Sequence, residues 1–351
     1  MAARVTMRDI AKEVGVSHPV VSMVLSGGNS TTRVSEDTRA RILATARRMG
    51  YRKDMLAHAF RNRRSFLVGT LFSGVNYKYA SDFAFGVQEV LCAEGFAPVF
   101  FTHGDSTHEA LYLERCLERH VEALIANCAA DADGTTNTSE YEKLASEGLH
   151  VVEVFGRRIK GVPSVNIDYE AAGRMAVERL ASSGLSDIAL FIHEEYLESA
   201  NSKACLYWNA YEFWKGCEAA AGSLNVGLKV AIHPLNADLR RFGALYQGAR
   251  AKASDVFADG IPGGVVCFGD EEVEALVDYV EASGIELPES FKVVSLGGYS
   301  LLAARGESMI EVLVEPAESI GREAARIALA MISGDDVSPL TIPPSFASDT
   351  R

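Results

Sequence analysis

The chain has 351 residues, 48% hydrophobic and 23% charged, which suits two or three globular domains and excludes a disordered polymer. No apolar run reaches the ~20 residues of a membrane helix, and the start through Arg4, Arg8 and Asp9 lacks the apolar core of an export signal, so a cytoplasmic protein is expected. The six cysteines stand singly, without CxxC or Cys/His pairing, which reads as reduced buried thiols rather than disulfides or a zinc site.

The net charge of −13 is unevenly placed. Residues 1–64 hold 13 Lys/Arg against 5 Asp/Glu and are +8; the rest, with 21 basic and 42 acidic side chains, is −21. A basic head on an acidic body is the charge pattern of a nucleic-acid module joined to something that must stay off phosphate.

In chain order, Thr6-Met7-Arg8-Asp9 has capping-box spacing and opens a helix with the apolar stripe Ile10, Ala11 and Val14, ended by Gly15. Ser17 caps a second helix with Pro19 in its first turn and Val20, Val21, Val24 and Leu25 facing inward; Gly27-Gly28-Asn29 closes it. Two short helices with a Gly-containing turn form a helix-turn-helix, whose second helix enters the major groove by its N-terminal residues. Ser35 caps a third helix packing Ile42, Leu43, Ala46 and Met49, stopped by Gly50-Tyr51. The basic stretch 54–64 is a short helix, marginal alone, that orders against a partner or DNA.

From Phe66 the pattern alternates between strand and helix. Strands are expected at 66–72, 97–102, 123–126 and 151–155, with helices at 81–94, 108–119 and 138–147 between them. A second run has helices at 171–183, 205–221, 239–258 and 271–283 and strands at 188–192, 229–233, 264–268 and 292–296. A last helix covers 319–334. Such β-α-β runs predict parallel, doubly wound sheets with ligand chemistry at the strand carboxyl ends, and two of them imply a cleft closed by hinge motion.

The head residues Thr6–Ala11, Gly15-Val16-Ser17, Val21–Leu25, Val34-Ser35, Thr38-Arg39, Gly50-Tyr51, Ala57 and Phe60 resemble the headpiece and hinge of the lactose-repressor (LacI/GalR) family. The likeness continues through Val162–Gly173, Phe268-Gly269-Asp270, Leu287-Pro288-Glu289, Val293–Ser295 and Leu313–Pro316. It implies an all-α helix-turn-helix headpiece (1–52), a hinge helix or linker (53–65), and an α/β body (66–351) like the periplasmic binding proteins. The body would have two doubly wound parallel-sheet lobes, lobe one at about 66–164 with 297–316 and lobe two at about 165–296 with 317–351. It further implies a transcriptional regulator, a repressor by default, near the nucleoid. The regulator would bind a near-palindromic operator as a homodimer, with a small molecule such as a sugar or other metabolite in the inter-lobe cleft, and with no cofactor, metal or membrane partner. No leucine heptads follow Pro343-Pro344-Ser345 to build a tetramer.

By that resemblance, the DNA-binding candidates are Thr6, Ser17, His18, Pro19, Ser22, Met23, Asn29, Ser35, Arg39, Tyr51, Ala57, His58, Phe60 and Arg61. Departures stand out. His18, Pro19 and Met23 occupy the positions that usually read bases, and only His18 can donate or accept toward a base edge; Met23 either meets a thymine methyl or belongs to the core. Phe60 replaces the family's leucine wedge and either opens base steps or packs between hinge helices of a dimer. Lys53 and Asp54 replace the usual proline and asparagine, and the loop Ser26–Arg33 is long.

For the effector, the candidates are Ser73, Asn76, Tyr77, Tyr79, His103, Asp105, Asn127, Arg157, Asn201, Trp208 and Asp270. The usual arginine in the long helix and the usual aspartate after Gly297 are missing, while Tyr196, Tyr207, Tyr211 and Phe213 are near. An aromatic or less hydroxylated effector, or regulation without a small molecule, therefore stays open. An enzyme is the rival class, but GxGxxG, P-loop, GxSxG and HExxH patterns are all absent. A stand-alone ligand-binding module is disfavoured by the basic head.

Overall fold

The computed structural model describes residues 5–26, 34–52, 55–73, 78–129, 131, 134–194, 208–234, 244–297 and 309–350. The chain divides into two compact units, Met1–Ser65 and Phe66–Arg351.

The first unit holds α1 (Met7–Val14), α2 (His18–Ser26), α3 (Glu36–Arg48) and α4 (Met55–Asn62). Thr6 and Asp9 form the reciprocal capping box, the Thr6 N–H donating to Asp9 Oδ2 at 2.8 Å and Asp9 N–H to Thr6 Oγ1 at 3.3 Å. Ser35 Oγ accepts from Thr38 N–H at 3.3 Å and starts α3. Ile10, Val14, Val21, Val24, Ile42 and Ala46 make the core, and Arg41 donates to the Val14 carbonyl at 2.9 Å, tying α3 to the end of α1. The loop 27–33 with Asn29, and Lys53 and Asp54, lie outside the described residues.

In the second unit, sheet one has the order β11-β5-β4-β3-β1-β2, all parallel. Its strands are β1 (Leu67–Ser73), β2 (Ala97–His103), β3 (Ala123–Ala126), β4 (His150–Val154), β5 (Ser164–Ile167) and β11 (Leu340–Ile342). Around it lie α5 (Lys78–Ala93), α6 (Ser106–Glu118), α7 (Thr138–Ser146) and α12 (Ala317–Ser333). Sheet two has the order β12-β10-β9-β8-β6-β7, parallel except for β12. Its strands are β6 (Asp187–His193), β7 (Gly227–His233), β8 (Gly264–Cys267), β9 (Lys292–Gly297), β10 (Ile310–Val314) and β12 (Ser345–Phe346). Helices α8 (Tyr169–Ser182), α9 (Trp208–Leu224), α10 (Ala244–Lys252) and α11 (Asp270–Ser283) accompany it.

This pairing corrects the expected lobe boundaries at the C-terminal end. Strand β10 runs in register with β9, Ile310 against Val293 through Val314 against Gly297, so 310–314 belongs to lobe two. Helix α12 packs on α5, and β11 on β5, so 317–342 belongs to lobe one; β5 itself also stays there. The physical reason is the helix–helix contact. A Cβ on Gly86 would strike the Glu318 carbonyl, and one on Gly321 the Phe83 carbonyl, so α5 and α12 touch backbone to backbone. Gly173 and Gly216 do the same for α8 and α9 in lobe two.

The chain crosses between lobes at Asp168, at Glu315-Pro316 and at Pro343-Pro344. Every crossing leaves the carboxyl end of a strand (β5, β10 or β11) and is one or two residues long. The carboxyl edges of the two sheets must therefore face each other, which is where doubly wound sheets bind ligands.

Candidate nucleic-acid interface and ligand cleft

In the first unit, Val21 and Val24 bury one side of α2 and leave Ser17, His18 and Pro19 exposed at its N-terminus. Pro19 has no N–H to leave unsatisfied there. Ser22 and Met23 are half-buried, and Met23 is not among the described side chains packed on this core. Thr6 and Ser35 are exposed at the N-termini of α1 and α3. Backbone N–H groups at such termini suit phosphate oxygens. Arg39 is half-buried, and Tyr51 packs on the core, so its role in the unit is at least partly structural. On α4, Ala57 and Phe60 share a face three residues apart, and Phe60 is 88% exposed, the most exposed large apolar side chain among those described. His58 and Arg61 lie on α4, with side chains outside the described set.

In lobe one, several predicted effector residues are already used by the fold. Asp105 caps α6, accepting the His108 N–H at 2.8 Å, and also holds His108 Nδ1 at 2.8 Å. Asn127 donates to the Val154 carbonyl at 3.1 Å, and its own carbonyl accepts from His103 Nε2 at 3.1 Å. These bonds lace the ends of β2, β3 and β4 together. Burial drives the His103 pKa down to about 4, so the ring is neutral, although buried Glu109 lies 3.7 Å away. Glu109 takes hydrogen bonds from Asn137, the Ala129 N–H and Tyr141, and burial pushes its carboxyl up. Arg157 is exposed and donates to Thr341 Oγ1 at 3.3 Å. Ser73 ends β1; Asn76, Tyr77 and Asn201, with the side chains of Ser73, Tyr79 and Trp208, lie outside the described set.

Lobe two is richer than the sequence reading allowed. Asp270 opens α11 and accepts from Ser295 Oγ at 3.1 Å. Gly297 sits at φ 143°, a conformation that favours glycine, and a Cβ there would lie 2.9 Å from Asp270 Oδ2. In the same sheet His193 and His233 stand at the paired ends of β6 and β7, with ring centroids 6.1 Å apart. His233 Nδ1 donates to the Pro234 carbonyl at 3.2 Å, and its Nε2 lies 3.0 Å from Glu272 Oε1. His193 packs edge-on against Phe268, and burial lowers its pKa to about 4. Burial, aided by Glu272, raises Glu271 to about 7. Glu315, in a crossing and bonded by Tyr169 Oη at 3.3 Å, is also raised to about 7, by burial and then by Asp270.

Sequence reasoning missed His193, His233, Ser295 and Glu315. His193 and His233 end β6 and β7, Glu315 follows β10 and Ser295 lies inside β9; strand carboxyl ends did guide the choice, but from the second lobe it named only Asn201, Trp208 and Asp270.

A family profile described as bacterial regulatory proteins, lacI family, matches residues 6–54. A periplasmic binding protein-like domain matches residues 177–346. The ribose operon repressor of Bacillus subtilis (strain 168) is 24% identical, over 96% of this chain and 94% of its own. Catabolite control protein A of Staphylococcus xylosus is 23% identical, over 95% and 94%. A lac repressor dimer bound to operator and the anti-inducer ONPF superposes with a TM-score of 0.71 at 16% identity, over 98% of both chains, and shows the shared fold.

Proposed function

The chain belongs to the lacI family of bacterial regulatory proteins, and from that premise we propose that it represses transcription as a homodimer on a near-palindromic operator, under control of a small molecule held between its lobes. That it is a DNA-binding regulator follows from the family itself. The observation that carries the finer reading is the exposed Ser17-His18-Pro19 corner, presented by a core-packed helix within a +8 segment.

In this reading α2 enters the major groove. His18 hydrogen-bonds a base edge, Met23 meets a thymine methyl, and Thr6, Ser35, Arg39 and the exposed arginines hold phosphates. Phe60 wedges into the minor groove and kinks the duplex. The small molecule lies against Asp270 and its neighbours in lobe two, and acts by favouring one lobe arrangement over another. The protein works by binding rather than catalysis, in the cytoplasm. Among the described residues no helix is long and apolar enough to cross a membrane.

Gel shifts with genomic fragments test the DNA half: a sequence-selective, salt-sensitive complex is expected, and its absence contradicts the reading. Melting the protein against a metabolite panel tests the effector half. The internal bonds of Asp105, Asn127 and His103 favour a second reading, regulation without a small molecule or by a protein partner. It is preferred if no metabolite shifts the melting temperature.

A further inference from the structure

The three crossings between the lobes are bonded to one another. Asp168 donates its N–H to the Ile342 carbonyl at 3.0 Å, which ties the first crossing to the end of β11, just before the third. Tyr169, the next residue and the first of α8, donates its hydroxyl to Glu315 Oε1 at 3.3 Å, which ties the first crossing to the second. The two links differ in kind. The first joins backbone groups and is the same at every pH. The second ends on a carboxyl group, and 3.3 Å is long for an O–H···O bond, whereas a hydroxyl donating to a carboxylate closes to about 2.5–2.7 Å. That link has slack to take up.

Glu315 is also joined to the cleft. Its N–H donates to the Gly297 carbonyl at 3.4 Å, next to the pairing of Val314 with Gly297 between β10 and β9. Gly297 in turn lies against Asp270, since a Cβ there would be 2.9 Å from Oδ2 and 3.1 Å from Oδ1. One residue of β9 therefore separates the hinge carboxyl from the aspartate at the start of α11. The ionisable groups acting on Glu315 are Tyr169 from α8 and Asp270 from α11. Glu271 follows Asp270 and titrates at about 7, and Phe268 stands between Tyr169 and His193. Glu318, a turn further on in α12, is paired with Arg322, and β9 presents the Gly297 backbone.

We propose that Tyr169 and Glu315 couple the cleft to the hinge: a ligand that neutralises Asp270 lets Glu315 release its proton, and the carboxylate then draws in the Tyr169 hydroxyl and stiffens two crossings together. The proposal rests on the reading of Asp270 as an effector contact. The proton passes to solvent, and only hydrogen bonds are remade. Burial and then Asp270 hold Glu315 at about 7, so this proton is exchanged near neutral pH. Both are positioning residues, which touch no ligand and set how freely the second crossing moves. The ligand class follows from the sign of the coupling. A cation, or a molecule that presents hydrogen-bond donors to Asp270, tightens the link, whereas an anion there keeps the proton on Glu315 and the hinge slack.

The test uses the full-length protein without ligand, Asp270→Asn standing in for a neutralised aspartate. Wild type, Asp270→Asn and Tyr169→Phe are melted from about pH 5 to about pH 8.5, each against the same chain carrying Glu315→Gln, so that Glu271 and the other groups cancel. In wild type the difference should grow as pH rises and level off near pH 7. Levelling should come at lower pH in Asp270→Asn, where the repulsion is gone, and at higher pH in Tyr169→Phe, where the bond favouring the carboxylate is gone. A merely structural pair would give differences that do not vary with pH. Between about pH 6 and 8, affinity for a fragment enriched from genomic DNA should change ~3-fold or more in wild type relative to Glu315→Gln. The proposal is overturned if either Asp270→Asn or Tyr169→Phe leaves the levelling point unmoved or moves it the other way, or if that affinity ratio is constant across pH. Failure to enrich any fragment contradicts the repressor reading instead, and the melts still decide the link.

Discussion

Of His18, Pro19 and Met23, only His18 can hydrogen-bond a base edge, while Pro19 offers shape and Met23 methyl contact. Replacing His18 with alanine should cost about 1–3 kcal/mol of operator affinity and relax selectivity at one base pair per half-site, read by titrating matched operator variants. A uniform loss across sequences would assign it to phosphate instead. Phe60, 88% exposed, gives a second check. Phe60→Ala should weaken operator binding and reduce the bend in a circular-permutation gel assay; unchanged bending with intact dimers would remove the wedge. At the hinge, burial holds Glu315 at about 7 against an ordinary value of 4.5. The folded chain keeps a proton there that the unfolded chain releases, so stability falls as pH rises through that window. Glu315→Gln should melt close to wild type near pH 5 and above it near pH 8; the same difference at both would refute the raised carboxyl. At this scale the capping residues Thr6 and Ser35 were legible because their partners lie three residues away. Asp105 misled for the same reason: a polar residue ahead of a helix reads equally as a ligand contact or a cap, and here it caps.

Elements with a strong local period were legible nearly to their ends. The strand expected at 97–102 runs Ala97–His103, and the helix expected at 271–283 runs Asp270–Ser283. The helix expected at 239–258 is shorter, with α10 ending at Lys252 and a 3-10 turn following at Ala253–Phe257. Strands β11 and β12, three and two residues long and separated by two prolines, carry too little alternation to be read. The packing of α5 on α12 and of α8 on α9 was equally hidden, since it depends on glycines far apart in the chain. At Gly173, Gly216, Gly86 or Gly321, alanine must push two backbones apart. Each substitution should destabilise the protein by about 1–3 kcal/mol in denaturant melts, and a loss below ~0.5 kcal/mol would show that the helices can separate freely.

Over the whole molecule, the charge split and the alternation of strands and helices were enough to expect a basic DNA-reading head on a two-lobed body. Which lobe received 310–342 was not legible, because it is decided by β10 choosing β9 and α12 choosing α5, pairings with no local signature. The same large-scale features set the expected behaviour on DNA. A +8 head meeting phosphates should make affinity fall about 1000-fold or more between roughly 50 and 200 mM salt. A two-fold dimer should protect half-sites about one helical turn apart, or a multiple of that. The most direct measurement is therefore selection of bound fragments from genomic DNA by the full-length protein, followed by titration of the enriched site at two salt concentrations. The account predicts a near-palindromic site bound at least ~1000-fold more tightly than random DNA, with the preference reduced by His18→Ala. Binding without sequence preference, or an enriched site that His18→Ala reads as well as wild type, would contradict it.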